Sequence, residues 1–348
     1  MSDTRASRHV KLQGVADTTY IPMVARIYAT ERFPEYFRDA TALKLRDRIP
    51  VETLERIRKH SSEYTMLASV ARYHVLDGLV RSFAARHPGG CNVINLGAGL
   101  ETMAQRLSLP AVTFYEIDLP KTIELRRSLI DPLPSEVIIA GDMFELGWTG
   151  RVDRKVPSLL IASGVFQYFR EEQVTGFLRD LAERLPGSEL IFDATNEVGV
   201  RYANRYVKRT GNASAQILFY VNDARAFADE LGMLLVEERV FYTEARRVLK
   251  GRLRLWTRIA MRVCDDKRRT ILVHLKLQGR SPAQSSGAAS RACGQSAPFR
   301  EGLRSDCGQS APLREVKLQT DLCGPWRNPP HSLAGGCSSA FAQLSHFP

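Results

Sequence analysis

The chain has 348 residues, of which 44% are apolar, enough for a sizeable core in one large domain or two smaller ones. No apolar run reaches the length of a membrane span, and the opening MSDTRASRHVKLQG lacks the apolar segment of a secretory signal, so a cytoplasmic chain with no membrane partner is expected. Of the net charge of +11, most lies in residues 1–280, where 43 basic and 34 acidic side chains are intermixed; that mixing predicts a solvated surface and no nucleic-acid groove.

Residues 1–14 are polar. Pro22 is placed to start a helix carrying Val24, Ile27 and Tyr28 on one side. Residues 51–60 are charged and amphipathic. From Thr65 to Arg86, Met66, Val70, Tyr73, Leu76, Leu79, Val80 and Phe83 recur at helical spacing, and Pro88-Gly89-Gly90 ends the run. Residues 1–90 therefore form a helical segment able to cap the remainder of the chain.

The stretch from Cys91 to Asp118 reads CNVINLGAGLETMAQRLSLPAVTFYEID. Val93, Ile94 and Leu96 form a strand, Gly97-Ala98-Gly99 a turn, Thr102 to Leu107 a short helix, and Val112 to Tyr115 a second strand ending in Glu116-Ile117-Asp118. Such a βαβ unit brings a glycine turn and an acid to the same crevice. Glycines admit a ligand close to the backbone, and an acid at the second strand end can accept hydrogen bonds from both hydroxyls of a ribose. A nucleoside-containing cofactor is implied. The dinucleotide fingerprint would need a third glycine where this chain has Thr102, which argues against NAD and for a cofactor with adenosine but no phosphate. S-adenosylmethionine is the common one.

LGAGLETMAQRL and YEIDLPKTIELRRSLI together resemble the leucine carboxyl methyltransferase family in its broad sense, which includes O-methyltransferases of polyketide biosynthesis of the tetracenomycin type. The residues that carry the likeness are Gly97, Gly99, Glu101-Thr102, Arg106-Leu107 and Glu116-Ile117-Asp118-Leu119-Pro120. Glu101 stands where the family usually has Asp. The likeness runs over residues 11–278. It implies that Arg72, five residues before Asp77, holds the cofactor carboxylate, a sensible task for a bidentate guanidinium.

After Asp118 a helix passes through residues 122–127, and Val137 to Ala140 is a third strand ending in Gly141-Asp142-Met143. The resemblance implies that Asp142 and Met143 contact the adenine. Residues 158–162 form a fourth strand running into Ser163-Gly164-Val165-Phe166-Gln167-Tyr168; the family commonly has an acid where this chain has Ser163, while Gly164, Val165 and Tyr168 match. A helix over 171–185 and a fifth strand over 189–194 come next. Residues 234–242 and 270–277 read as two more strands, the last as an antiparallel edge. The alternation predicts an α/β fold: a doubly wound, mostly parallel seven-stranded sheet of class I methyltransferase type with an N-terminal helical cap.

The cofactor site is thus expected at Arg72, Gly97, Ala98, Gly99, Asp118, Asp142, Met143 and Ser163. Acceptor-side candidates are Tyr20, Tyr28, Asn196, Arg201 and Tyr206, the last three in a long polar-aromatic insertion at 195–225. The catalytic residue is left open, with Tyr168 and His74 as candidate bases if the acceptor is a phenol or alcohol; a carboxylate acceptor needs none. Where the protein-carboxyl branch of the family has an arginine after its strand-three acid pair, this chain has Phe144, which favours a small-molecule acceptor. Two rival readings stand beside this one: a non-catalytic module that keeps the cofactor pocket, and an NAD-dependent dehydrogenase. The oligomeric state is not legible.

Six cysteines are present. Cys91 opens a strand, Cys264 is expected near a turn, and Cys293, Cys307, Cys323 and Cys337 fall in the tail; none forms a CxxC pair, so no metal is expected. Residues 281–348 are rich in Ser, Gly, Ala and Pro and contain CGQSAPFRE and CGQSAPLRE. Two copies make no solenoid, and the composition predicts a disordered tail after a methyltransferase core at 91–280.

Overall fold

The computed structural model describes residues 12–201, 204 and 216–278, all within one compact unit. Tyr206, the tail and its four cysteines lie outside the described residues.

Four helices come first: α1 (Leu12–Arg32), α2 (Ala40–Lys44), α3 (Val51–His60) and α4 (Glu63–Arg86). Pro22 does not start α1 as expected but lies inside it. A proline there removes one donor and crowds the carbonyl four residues back. Burial of Met23, Val24, Ala25 and Ile27 around that turn offsets the cost. The entry of α4 is fixed by a reciprocal cap: the Thr65 amide donates to Ser62 Oγ (3.2 Å) and the Ser62 amide to Thr65 Oγ1 (2.7 Å).

The sheet comes after the helices, with β1 (Cys91–Leu96), α5 (Met103–Leu107), β2 (Val112–Asp118), α6 (Pro120–Leu129), β3 (Glu136–Ala140), β4 (Ser158–Ala162), α7 (Glu171–Arg184), β5 (Glu189–Thr195), α8 (Ala224–Leu231), β6 (Leu234–Val240), α9 (Thr243–Val248), α10 (Leu255–Asp266) and β7 (Thr270–Lys276). The strand order is β3-β2-β1-β4-β5-β7-β6. The first five strands are parallel; β7 runs antiparallel to both neighbours. The order reverses at β1, so the ends of β1, β2 and β4 open on one crevice.

The final strand is antiparallel as expected but is not the edge. β7 lies between β5 and β6, and TILVHL is buried on both faces. The edge is β6, whose LLVEERV leaves Leu234, Val236 and Arg239 exposed. Cys264 lies in the last turn of α10, three residues before the turn at 267–268, and its thiol meets Thr270 Oγ1 at 3.3 Å.

Side chains alternate across the sheet, giving two cores. Val93, Phe114, Leu159, Ile161, Ile191 and Leu272 pack on one face with the apolar sides of α1 and α4. Ile94, Leu96, Ile117, Leu160, Leu190 and Phe192 pack on the other with α7 and α8. The helical cap therefore shares its core with the sheet. Four arginines depart from the solvated surface expected of the intermixed charge: Arg26, Arg72, Arg106 and Arg126 have side chains at most 4% exposed.

Candidate cofactor site at the strand ends

Gly97 and Gly99 both take the left-handed conformation (φ +68° and +51°). A side chain at Gly97 would place its Cβ 2.7 Å from Val165 Cγ2, and one at Gly99 would come 3.3 Å from Thr19 Cγ2. The first glycine thus lets the β1 turn close on the loop after β4, and the second lets α1 close on the turn. A bulkier residue at 97 clashes with the protein itself before it meets a ligand. Ala98 is buried between them, its amide and that of Gly97 both donating to Ile117 O.

Asp118 ends β2. Its Oδ2 accepts the Gly99 amide and its Oδ1 the Leu119 amide, each at 2.7 Å. Burial pushes the carboxyl above the ordinary range, against the pull of those two amides. The Thr122 hydroxyl also bonds this carboxylate, which with about four lone-pair sites still keeps acceptor capacity for a ligand hydroxyl.

Two buried arginines hold the carbonyls of the turn. Arg26, on α1, donates to Leu100 O (2.6 Å), and Arg126, on α6, to Glu101 O (2.5 Å) and Gly99 O (3.3 Å). Arg26 also pairs with Glu101 (2.9 Å) and meets Thr102 Oγ1 (3.0 Å). Arg106 pairs with Glu101 (3.0 Å) and Asp39 (3.3 Å) and makes a bidentate bond to Asp77, both contacts 2.7 Å. Thr102 Oγ1 donates to Asp39 (2.5 Å). Arg106 and Arg26 lie over the Tyr73 ring. Burial alone would raise the Glu101 carboxyl, but Arg106 and Arg26 outweigh it and hold it at about 2. The cluster ties α1, α2 and α4 to the loop that opens α5.

At the end of β4, Ser163 Oγ is buried and has no hydrogen-bond partner. The Gly164 amide donates to Asp193 Oδ1 (2.5 Å), at the end of β5, and Arg72 Nη1 donates to Asp193 Oδ2 (2.8 Å). A Cβ on Gly164 (φ +73°) would stand 3.0 Å from Arg72 Nη1, so glycine is required for the guanidinium to lie here. Tyr168 closes the turn Phe166–Tyr168; burial pushes its phenol up to about 12. Arg72 and Ser163 are thus brought together with a carboxylate that sequence reading did not single out.

Asp142 follows β3, its Oδ1 accepting the Phe144 amide (3.0 Å); Met143 is buried, and its carbonyl accepts Trp148 Nε1. The β3 end is joined to β2 by the Gly141 amide on Asp118 O (2.9 Å), which brings Asp142 beside Asp118. Phe144 packs between Phe169 and Phe177.

The remaining candidates are placed unevenly. His74 stacks on Tyr36 (centroids 4.3 Å apart) and its Nδ1 lies 3.0 Å from Tyr36 O. Tyr20 packs partly buried against the first core, next to Thr19 and hence near the glycine turn. Tyr28 stands edge-on to Phe33, about 13 Å further along α1 than Thr19 at the helical rise. Asn196 spends its side chain on structure: Nδ2 donates to Lys267 O and Arg268 O, and Oδ1 accepts the Gly199 amide. Arg201 is exposed and paired with Glu197 one turn back. Among the described residues, neither Tyr28, Asn196 nor Arg201 makes a contact with the strand-end residues that would mark it as part of the crevice, and Tyr206 lies outside them. Among the described residues no group of His, Cys, Asp and Glu is arranged to hold a metal, and no helix is long and apolar enough to cross a membrane.

The part of the site missed by sequence reading is its supporting frame: Arg26, Asp39, Arg126 and Asp193. Arg106 and Glu101 were visible only as carriers of a resemblance. Most of the partners lie far away in the chain, and no local pattern announces such pairing. The cofactor implied by the sequence fits the residues present: a glycine turn, a strand-end carboxylate with spare acceptor capacity, a buried guanidinium and an orphaned hydroxyl converge on one crevice.

Residues 19–182 match the family model for leucine carboxyl methyltransferase. The tetracenomycin polyketide synthesis O-methyltransferase TcmP of Streptomyces glaucescens is 30% identical over 205 residues, which is 58% of this chain and 74% of that one. Among solved structures, magnesium protoporphyrin IX methyltransferase of Synechocystis PCC 6803 with bound SAH aligns at a TM-score of 0.43 and 13% identity, over 67% of this chain and 98% of that one. The glycopeptide N-methyltransferase MtfA complexed with sinefungin aligns at 0.38 and 13% identity, over 58% and 87%. With the matched family model and a relative of which it covers nearly three quarters, the chain belongs to the leucine carboxyl methyltransferase family and is an S-adenosylmethionine-dependent methyltransferase.

Proposed function

We propose that the protein transfers a methyl group to a carboxylate or hydroxyl oxygen of a small, polyketide-like molecule. The observation that carries this reading is the convergence of Arg72, the Gly97–Gly99 turn, Asp118, Asp142 and the orphaned Ser163 hydroxyl, together with a relative whose name specifies O-methylation in polyketide synthesis. Phe144, packed among Phe169 and Phe177, supplies no charge where the protein-carboxyl branch has an arginine, and this favours a small acceptor.

Bound S-adenosylmethionine supplies a methyl group already activated on a sulfonium. The chain's own task is to bind, align and exclude water. Asp118 would receive the ribose hydroxyls, Asp142 and Met143 would hold the adenine, Arg72 would take the carboxylate, and Ser163 would offer a hydroxyl to the bound cofactor. At neutral pH Tyr168 keeps its proton, since burial raises its phenol to about 12, and so is a poor base. His74, two residues on from Arg72 and so on the far side of α4, stacks on Tyr36 and lies near Glu244 of α9, away from the strand ends. Both features favour an acceptor oxygen that arrives ionised, a carboxylate before an alcohol. The helical cap of residues 1–90 and the insertion at 195–225 are the pieces available to select it, with Tyr20 the best-placed candidate.

Transfer of labelled methyl from the cofactor to a panel of aromatic acids, phenols and alcohols tests this. Methylation of carboxylic acids at a rate flat above pH 6 is expected. Binding of cofactor without transfer to any panel member or metabolite extract would favour the non-catalytic reading.

A further inference from the structure

Arg72 and Asp193 are almost wholly removed from water, with side chains 3% and 13% exposed. Arg72 comes from α4 and Asp193 from the C-terminal part of β5. They meet beside Gly164, whose missing side chain admits the guanidinium. An isolated buried pair is costly to desolvate and contributes little stability over apolar residues of the same size. Its geometry is of use to a ligand, however. The pair presents a positive and a negative group 2.8 Å apart next to the orphaned Ser163 hydroxyl. An α-amino acid carries the same two charges at a similar spacing in the opposite sense. The Asp193 carboxylate accepts one hydrogen bond on each oxygen, from Gly164 and Arg72, out of about four it can take.

We propose that Arg72 and Asp193 together form a clamp for the amino-acid zwitterion of the cofactor, with Asp193 binding the ammonium while Arg72 binds the carboxylate. The assignment of Asp193 rests on the reading that the cofactor's amino-acid end lies at Arg72. Docking of the zwitterion turns a two-charge pair into a four-charge array with no net charge added, which keeps the desolvated site electroneutral. The Asp193 bond to Gly164 also fixes the loop after β4, so that the ammonium and the Ser163 hydroxyl are met on one rigid surface.

The test uses four thioether ligands of the full chain, measured by calorimetry: S-adenosylhomocysteine, its decarboxylated amine analogue S-adenosyl-3-thiopropylamine, its deaminated acid analogue, and 5′-methylthioadenosine, which lacks both charges. The parent is expected to bind the amine analogue roughly tenfold or more tightly than methylthioadenosine, the scale of a hydrogen bond to a charged group. Asp193→Asn, which still accepts the Gly164 amide, should erase that preference and leave the acid analogue within about threefold of its parent affinity. Arg72→Met should do the reverse, weakening the acid analogue and sparing the amine. If Asp193→Asn weakens the acid analogue and leaves the amine preference intact, Asp193 serves only to prop Arg72 and the clamp is wrong. If Arg72→Met leaves the acid analogue unchanged, the placement of the cofactor carboxylate fails, while the amine ladder still judges Asp193. A parent protein that binds the amine analogue no better than methylthioadenosine overturns the proposal without any variant.

Discussion

Replacing Arg106 by methionine removes the central cation of the cluster that joins the helical cap to the glycine-turn loop. Arg106 faces three carboxylates: Asp77 through two bonds of 2.7 Å, Glu101 at 3.0 Å and Asp39 at 3.3 Å. Methionine fills a similar volume without charge. Arg26 is then left alone to balance Glu101 and Asp39, and Asp77 loses its bidentate partner. Removing one member of a buried ion pair costs about 3–5 kcal/mol, because the remaining charge stays desolvated. For a domain of this size 1 kcal/mol moves Tm by about 2–4 °C, so a drop of about 6–20 °C is expected at pH 7. The sign with pH is specific. Burial already lifts the Asp77 carboxyl above its ordinary range, opposed mainly by Arg106. Without that opposition it rises further, so the variant's deficit shrinks as the pH falls and Asp77 takes up a proton. The parent behaves oppositely at Glu101: its carboxyl is held at about 2, so the stability it contributes is full above the unfolded value of 4.5 and is lost as the pH falls toward 2. Thermal melts of parent and variant at pH 3, pH 5 and pH 7, each at low and high salt, measure all of this. A melting point within about 2 °C of the parent at pH 7, or a deficit that disappears in about 0.5 M salt as a surface pair would, refutes the cluster as the element that fastens the cap.

Glu116 is buried between Asn95 and Arg126, and burial lifts its carboxyl to about 7. It keeps its proton in the folded state where the unfolded chain loses one, so stability falls as the pH rises from about 4.5 through 7; Glu116→Gln should melt like the parent at pH 4.5 and be more stable at pH 8, by up to about 3 kcal/mol, in denaturant titrations at the two pH values. Gly97→Ala sets a left-handed residue with its Cβ 2.7 Å from Val165 Cγ2, and a loss of about 1–3 kcal/mol is expected, partly restored in the Val165→Ala background; an unaltered melt would mean that the turn can yield. Asp118→Ala should weaken binding of S-adenosylhomocysteine by about 1–3 kcal/mol, and unchanged calorimetric affinity in a folded protein would remove Asp118 from the ribose role. A chain ending at Arg280 is expected to bind the cofactor product as the full chain does, because the composition of residues 281–348 favours no packed core; weaker binding would assign the tail a part in the site.

The sheet and the crevice are legible from local pattern. Apolar runs at Cys91, Val112, Val137 and Ser158, each ending in glycine, acid or serine, announce parallel strands whose last residues face a ligand, because burial on both faces demands such runs and the crevice lies beyond them. Asp118, Asp142 and Ser163 are local in this sense: a residue's position relative to its own strand is written in the few residues around it. The place of β7 was not written there: one face of TILVHL reads Thr270, Leu272, His274, which suits an edge, and only the fold buries it, with His274 set between Glu189 of β5 and Glu237 of β6. Pairing, in contrast, belongs to the folded chain alone. Arg72 reaches Asp193 across 121 positions, Arg26 reaches Glu101 across 75 and Arg106 reaches Asp77 across 29. An arginine in a helix looks the same in sequence whether it ends in water or in a buried carboxylate, because the difference lies in what other elements bring to it. The same reason separates Tyr20, whose chain neighbour Thr19 meets the glycine turn, from Tyr28, about two turns further along the same helix, where it packs against Phe33.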